Sequence, residues 1–257
     1  MGDQNNANLH IAMLPWLAFG HLIPFLELAK LLASKGQKIS FISTPRNIER
    51  LPQIPQTLTP FITFIKLNLP KHPNLPENAE STKDLPFNKV KYLKIACDGL
   101  LEPIAHFLET ASPDWIICDF ATYWVGPIAA QHRVRSAFFS VFPAFMLCFG
   151  GSPEVAMHGD ESRATLEDFV KRPKWVSFET EVRPSIFQLL RGNENFNAVE
   201  ENVSDMYQLG ATVRSCDAVI VRSSFDFEPE WLNLLSELYQ KAVFAAGLLP
   251  AAEAEAT

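Results

Sequence analysis

Cysteine is scarce in this chain, and its spacing excludes as much as its number. The four cysteines, Cys97, Cys118, Cys148 and Cys216, lie far apart. None forms a C-x-x-C pair or a zinc-ligand spacing, and they read as reduced, mostly buried thiols of a cytoplasmic protein. Long hydrophobic runs are missing too. The most apolar window, 137–151 (AFFSVFPAFMLCFGG), is too short to span a bilayer and contains Ser140 and Pro143, so no stable membrane insertion is expected. The opening MGDQNNANLH lacks the basic region of a signal peptide. An excess of positive charge is absent: 22 basic against 29 acidic residues give a net charge of −7. That argues against a nucleic-acid partner, which needs a basic footprint.

Several catalytic signatures are absent as well. No G-x-G-x-x-G follows the first apolar run, so a nicotinamide-dinucleotide site is not expected. There is no phosphate-loop lysine motif. No G-x-S-x-G elbow exists, and Gly150-Gly151-Ser152 has the wrong spacing for one. His10, His72, His106, His132 and His158 show no ligand spacing, and no metal is expected.

What is present is an alternation of strand and helix signals. The chain has 257 residues, 47% of them hydrophobic. A chain of this size buries roughly 70–75% of its unfolded surface, enough for one substantial core. Leu9–Leu14 is a short apolar run of strand length. Leu22, Phe25, Leu26, Ala29, Leu32 and Ala33 then recur at helical spacing, with Pro24 expected in the first turn and Gly36 as the stop. Strands are predicted at 38–43, 61–67, 114–118, 135–140 and 218–221, with a last one beginning at Val243-Phe244. Helices are predicted at 46–51, 88–111, 124–132, 198–215 and 231–239. The segment 143–149 is apolar all round and expected to be buried. Residues 68–87 carry four prolines and little periodicity and read as a long functional or mobile loop. The alternation predicts one α/β domain, a parallel sheet of about six strands flanked by helices. The alanine-rich end, 251–257, has no core-facing pattern and reads as a linker or tail.

Two ionisable residues stand at predicted strand ends. His21 follows the first strand, and Asp119 ends the fourth. A histidine or aspartate in such a place usually caps a turn or faces solvent. In a parallel sheet, however, all strands present their carboxyl ends along one edge, where ligands bind. If the two strands are neighbours, the carboxylate can hold one imidazole nitrogen and leave the other free to take a proton. With no nucleophile in sight, such a base would activate a hydroxyl of the substrate. Gly20 lets a ligand approach the backbone closely, and the helix N-terminus beside it suits a phosphate. Phe120, Tyr123, Phe142, Phe145 and Phe149 follow two strand ends. They either line an apolar pocket or pack the core; the residues alone leave both readings open.

The strings PWLAFGHLIPFLELAKLLASKG, ISFISTPRNIERLP, LPENAEST, SPDWIICDF and VIVRSSFDFEPEWL resemble the amino-terminal half of plant UDP-sugar-dependent glycosyltransferases over nearly the whole chain. LPENAE and STPRNI look most like the branch of plant secondary metabolism that adds a sugar to a flavonoid or terpenoid glycoside. The resemblance implies a GT-B architecture of two Rossmann-like domains facing across a cleft. Residues 1–250 would form the acceptor-binding domain and 251–257 the start of the inter-domain linker. It implies that His21 deprotonates the acceptor hydroxyl, that Asp119 orients it, and that the sugar is transferred with inversion from a UDP-sugar co-substrate without metal or other cofactor. Trp16, Phe19, Glu77, Asn78, Phe120, Tyr123, Phe142, Phe145 and Phe149 would wall the acceptor site, and Gly20 would lie near the diphosphate. The family's main donor-binding residues belong to a second, carboxyl-terminal domain. By this reading that domain lies outside the chain, to be supplied as a separate chain, and the chain alone is inactive. The alternative reading is a glycoside-binding module without turnover.

Overall fold

The computed structural model describes residues 8–163, 165–185 and 203–249. The expected linker at 251–257 and the start of the predicted helix at 198–215 lie outside the described residues. Seven strands form one all-parallel sheet: β1 (His10–Leu14), β2 (Lys38–Ser43), β3 (Ile62–Lys66), β4 (Trp115–Cys118), β5 (Arg135–Ser140), β6 (Ala218–Val221) and β7 (Ala242–Ala245). Their order is β3-β2-β1-β4-β5-β6-β7. The chain thus winds outward from β1 in one direction, then returns and winds outward from β4 in the other. The turning point between β1 and β4 is where doubly wound sheets leave a crevice for ligands.

Both faces of the sheet are covered, which explains why its strands read as apolar runs. Side chains alternate across a strand. Ala12, Leu14, Ile116 and Cys118 therefore face one layer, with α3 (Val90–Asp98), α4 (Leu101–Ala111) and α5 (Val125–Gln131). Ile11, Met13, Ile117 and Phe139 face the other, with α1 (Phe19–Ser34). Towards β6, Phe138, Val219 and Val221 pack with α6 (Ala144–Gly150), α9 (Asp205–Ser215) and α10 (Pro229–Tyr239). Three short helices complete the described set: α2 (Pro45–Glu49), α7 (Pro153–His158) and α8 (Leu166–Phe169). All four cysteines are buried and unpaired. No helix among the described residues is long and apolar enough to cross a membrane.

The architecture agrees with the expected parallel sheet, and four local features correct the reading. The sheet has seven strands rather than about six. Helix α1 begins at Phe19, so His21 lies within its first turn and Pro24 in its second, not its first. The predicted helix over 88–111 is two helices with a break at Gly99-Leu100. Pro103 has no N–H to give to the Gly99 carbonyl, which a continuous helix would require. The break also brings Gly99 against the 68–87 loop, where an added Cβ would stand 2.6 Å from Pro70 Cγ. In the 143–149 segment the helix is buried on one side only, and Met146 is exposed. Gly36 does stop α1: it adopts φ +84, and its N–H donates to the Ala33 carbonyl at 2.9 Å.

The long loop is pinned at one point. Asp84 accepts the Glu80 and Ser81 backbone N–H groups at 3.1 and 3.0 Å and a two-pronged bond from Arg50 at 2.8 and 3.0 Å. Burial opposes its ionisation, but the Arg50 hydrogen bond and the two N–H groups outweigh it and hold the carboxyl at about 2. The folded value lies below the ordinary one, so this stabilisation is present above about pH 4 and is lost as pH falls through about 2. Pepsin digestion is expected to cut 68–87 much faster at pH 2 than at pH 4. Asp84→Asn should loosen the loop at neutral pH by about 1–3 kcal/mol in hydrogen exchange. Equal protection in variant and parent would disprove the pinning.

Candidate functional site

Leu14 at the end of β1 lies opposite Cys118 at the end of β4. One residue beyond each register the two chains remain joined, because the Asp119 N–H donates to the Leu14 carbonyl at 3.3 Å. The backbone then turns at both ends. Asp119 caps the 3-10 turn Phe120–Thr122, and the β1 chain passes through Trp16 into α1. This geometry brings two residues 98 apart in sequence into contact: His21 Nδ1 and Asp119 Oδ2 are 2.8 Å apart.

Asp119 is 1% exposed. A buried carboxylate is tolerated only where its lone pairs are occupied. Here Oδ2 also accepts the Trp16 N–H at 3.1 Å, and Oδ1 accepts the Phe120 N–H at 2.8 Å. The group is therefore an acceptor on every side, so His21 Nδ1–H donates to it and Nε2 carries the lone pair. Nε2 has no protein partner among the described residues. The imidazole is further walled by Phe120 and Phe142, with ring centroids 5.8 and 5.6 Å away. Phe142 is set by the turn after β5, where its N–H donates to Ser140 Oγ at 3.2 Å. The arrangement can take a proton from a hydroxyl at Nε2 and stabilise the resulting imidazolium through Asp119.

Beside the dyad lies a cleft of about 340 Å3 lined by Trp16, Thr82, Leu85, Phe87, Val90, Lys94, Phe120 and Asp205. Trp16 and Phe120 belong to both features, since their backbone N–H groups hold Asp119 while their side chains wall the cleft. Phe120 is approached from behind by Thr212 of α9, whose single hydroxyl proton is shared between the Phe120 carbonyl at 3.0 Å and the Gln208 carbonyl at 2.8 Å.

The other expected wall residues are placed elsewhere. Phe19 faces Arg50 and Lys83, whose cationic groups stand 5.2 and 5.6 Å from its ring centroid. Glu77 is exposed and reaches Lys71 at 3.5 Å, and the Asn78 carbonyl accepts from Arg46. Neither Glu77 nor Asn78 lines the cleft. Tyr123 meets the Tyr207 ring edge-on. Phe145 and Phe149 pack against one another and against Trp231, and Phe149 is buried in that core cluster. An added Cβ at Gly20 meets nothing within 4 Å, and the cap residue Ala18 gives α1 no side-chain bond, so the N-terminus of α1 is open. Among the described residues, no group of three or more His, Cys, Asp or Glu is placed to hold a metal ion.

The ion pair of buried Lys94 with half-buried Asp205 in the cleft wall was not anticipated from the sequence. A signal was available for half of it. Val90, Leu93, Lys94 and Cys97 follow the i, i+3, i+4, i+7 pattern of a buried stripe, and Lys94 is its one charged member. Burial lowers its pKa to about 8.

No family model matches the chain. Curated plant proteins do. UDP-glycosyltransferase 91A1 of Arabidopsis thaliana is 46% identical over 252 residues, covering 96% of this chain and 53% of that protein. Soyasaponin III rhamnosyltransferase of Glycine max is 40% identical over 249 residues, covering 97% of this chain and 52% of its own length. The chain thus spans about half the length of the curated relatives it matches. Among solved structures, Glycyrrhiza uralensis UGT73P12 complexed with glycyrrhetinic acid 3-O-monoglucuronide superposes with a TM-score of 0.66 at 16% identity, covering 94% of this chain and 49% of that one. In sequence and in fold, the chain belongs with the amino-terminal half of the plant UDP-glycosyltransferases of GT-B architecture.

Proposed function

We propose that this chain is the acceptor-binding and proton-abstracting half of an inverting, UDP-sugar-dependent glycosyltransferase. The observation that carries the reading is the 2.8 Å His21–Asp119 hydrogen bond, whose carboxylate is held by the N–H groups of Trp16 and Phe120, two residues that line the cleft. His21 Nε2 takes the proton of the acceptor hydroxyl. The freed oxygen attacks the anomeric carbon of the UDP-sugar, a new glycosidic bond forms with inverted configuration, and UDP departs with the electron pair of the old one. Asp119 steadies the imidazolium. The open N-terminus of α1 at Gly20 offers N–H groups and a positive dipole end to the diphosphate. No metal takes part. The remaining donor contacts come from residues outside this chain, in a carboxyl-terminal domain that can be a separate chain.

The acceptor is a flavonoid or terpenoid glycoside. Support comes from the mostly apolar cleft wall and from the name of the relative acting on soyasaponin III. A cytoplasmic setting is part of the proposal, supported by the four buried unpaired thiols.

The chain mixed with the donor-binding half of a plant relative, UDP-glucose or UDP-rhamnose, and a flavonoid glucoside is expected to release UDP, and either half alone is not. Acceptor-independent UDP release, or none from a folded pair that binds both substrates, would overturn the reading. A second reading, a glycoside-binding module without turnover, is favoured by one feature: Trp16, Leu85, Phe87, Val90 and Phe120 give the cleft a largely apolar lining. Its mark is acceptor binding that the donor half does not convert into UDP release.

A further inference from the structure

We propose that the Lys94–Asp205 ion pair sets acceptor specificity by seating a neutral pair of adjacent hydroxyls, such as those of a sugar ring. The inference rests on the reading of the cleft as an acceptor site. Both residues line the cleft, at 6% and 24% side-chain exposure. Most of the wall is otherwise apolar, and an apolar residue at 94 would continue the Val90–Leu93–Cys97 stripe without the desolvation that a buried ammonium costs. The pair therefore contributes less to holding α3 against α9 than an apolar contact would. What it adds is chemistry.

That chemistry is specific. Lys94 has three N–H donors and Asp205 has a full set of acceptor lone pairs. The contact between them is the only hydrogen bond of either side chain among the described residues. Donors and acceptors are thus left over side by side. One hydroxyl of a vicinal pair can accept from Lys94 while its neighbour donates to Asp205, both as charge-assisted bonds.

The pair also selects against charge. Asp205 is the first residue of α9, where the helix dipole favours a carboxylate, and Ser204 caps that turn by accepting the Tyr207 N–H at 3.1 Å. One turn along α3 from Lys94, Asp98 accepts the Trp124 indole N–H at 2.9 Å. Its pKa is raised by burial to about 6, so above that pH it adds a second negative charge near the lysine. Lys94 is neutralised by what surrounds it, and a carboxylate-bearing acceptor meets no net positive charge. A neutral sugar fits, and a uronate does not.

The test is calorimetric binding to this chain with three probes: kaempferol, its 3-O-glucoside and its 3-O-glucuronide. The parent chain is expected to bind the glucoside at least about tenfold tighter than the other two, the effect of one or two charge-assisted bonds. The double variant Lys94→Met/Asp205→Leu removes both charges together, so that neither is left without its partner, and leaves an apolar wall. It should keep kaempferol binding and lose the preference, with an unchanged circular dichroism spectrum. His21→Ala should keep the preference. A double variant that still prefers the glucoside, or a parent that prefers the glucuronide or binds all three alike, overturns the inference and leaves the cleft reading intact. A parent that binds none of the three overturns both.

Discussion

His21→Ala, in the chain combined with a donor-binding half, is expected to slow sugar transfer by about 10²–10⁴-fold while acceptor affinity stays within about twofold. The size is that of a positioned general base in a transition state. By the proposed reading it falls on the chemical step, because His21 is not among the residues that line the cleft and would meet the acceptor only through Nε2 at the reacting hydroxyl. Asp119→Asn is expected to come close to the same loss by a different route. An asparagine can turn its NH2 toward the ring, and Nε2 would then carry the proton and be useless as a base. The two losses should not add, since each disables the same proton acceptor. The measurement is UDP release at saturating acceptor, beside calorimetric acceptor binding. A His21→Ala rate within threefold of the parent would remove the base assignment. A loss seen entirely as weaker acceptor binding would make His21 a wall residue.

The second large effect is on stability. Phe139→Ala should destabilise the chain by about 3–5 kcal/mol, the usual cost of emptying an aromatic site in a closed core. Phe139 is 0% exposed and meets Phe25 of α1 edge-on, at 4.9 Å between ring centroids. Its ring joins β5 to the helix that carries His21. The cavity cannot be filled by a side chain from the same helix, because Phe25 and Leu26 are already fully buried. Domains of ordinary stability hold only about 5–15 kcal/mol, so the variant is expected to be partly unfolded near body temperature. Phe244→Ala is the control: at 58% exposure it should change stability by less than about 0.5 kcal/mol. Urea denaturation followed by tryptophan fluorescence reads both. A loss under 1 kcal/mol for Phe139→Ala would mean that α1 is not anchored through β5.

The two expectations are linked through α1. Phe25 holds the helix from below, Asp119 holds its first turn from the side, and His21 lies between them. Substitutions on either side of His21 should therefore lower transfer, but only those at the dyad should do so without lowering the denaturation midpoint.

Periodicity made the order of elements legible. Strands of a sheet covered on both faces must be apolar throughout, and helices packed on one side must repeat near 3.6 residues. Ala218–Val221 follows directly from such a run, Lys38–Ser43 follows from alternation of β-rich residues, and Gly36 marks the end of α1 because it takes a positive φ there. Where an element ends for a tertiary reason, the pattern misleads. The apolar stripe runs on through Gly99, and only the loop docked at Pro70 and the missing N–H of Pro103 divide α3 from α4. Phe19 and Gly20 read as loop because neither carries a capping signal, yet the backbone already turns into α1 there.

The candidate site divides in the same way. The sequence alone determined that an aspartate follows one strand and that a histidine lies in the connection after another, at the shared edge of one parallel sheet, since strand ends are set by local pattern. It could not determine that β1 and β4 are neighbours, that Nδ1 rather than Nε2 meets the carboxylate, or that of the two buried aromatics Trp16 and Phe149 only Trp16 borders the cleft. Still less could it pair Lys94 with Asp205 across 111 positions. Those facts depend on which surfaces meet. Burial rewards any apolar partner about equally, so only the packed fold decides which one each residue receives.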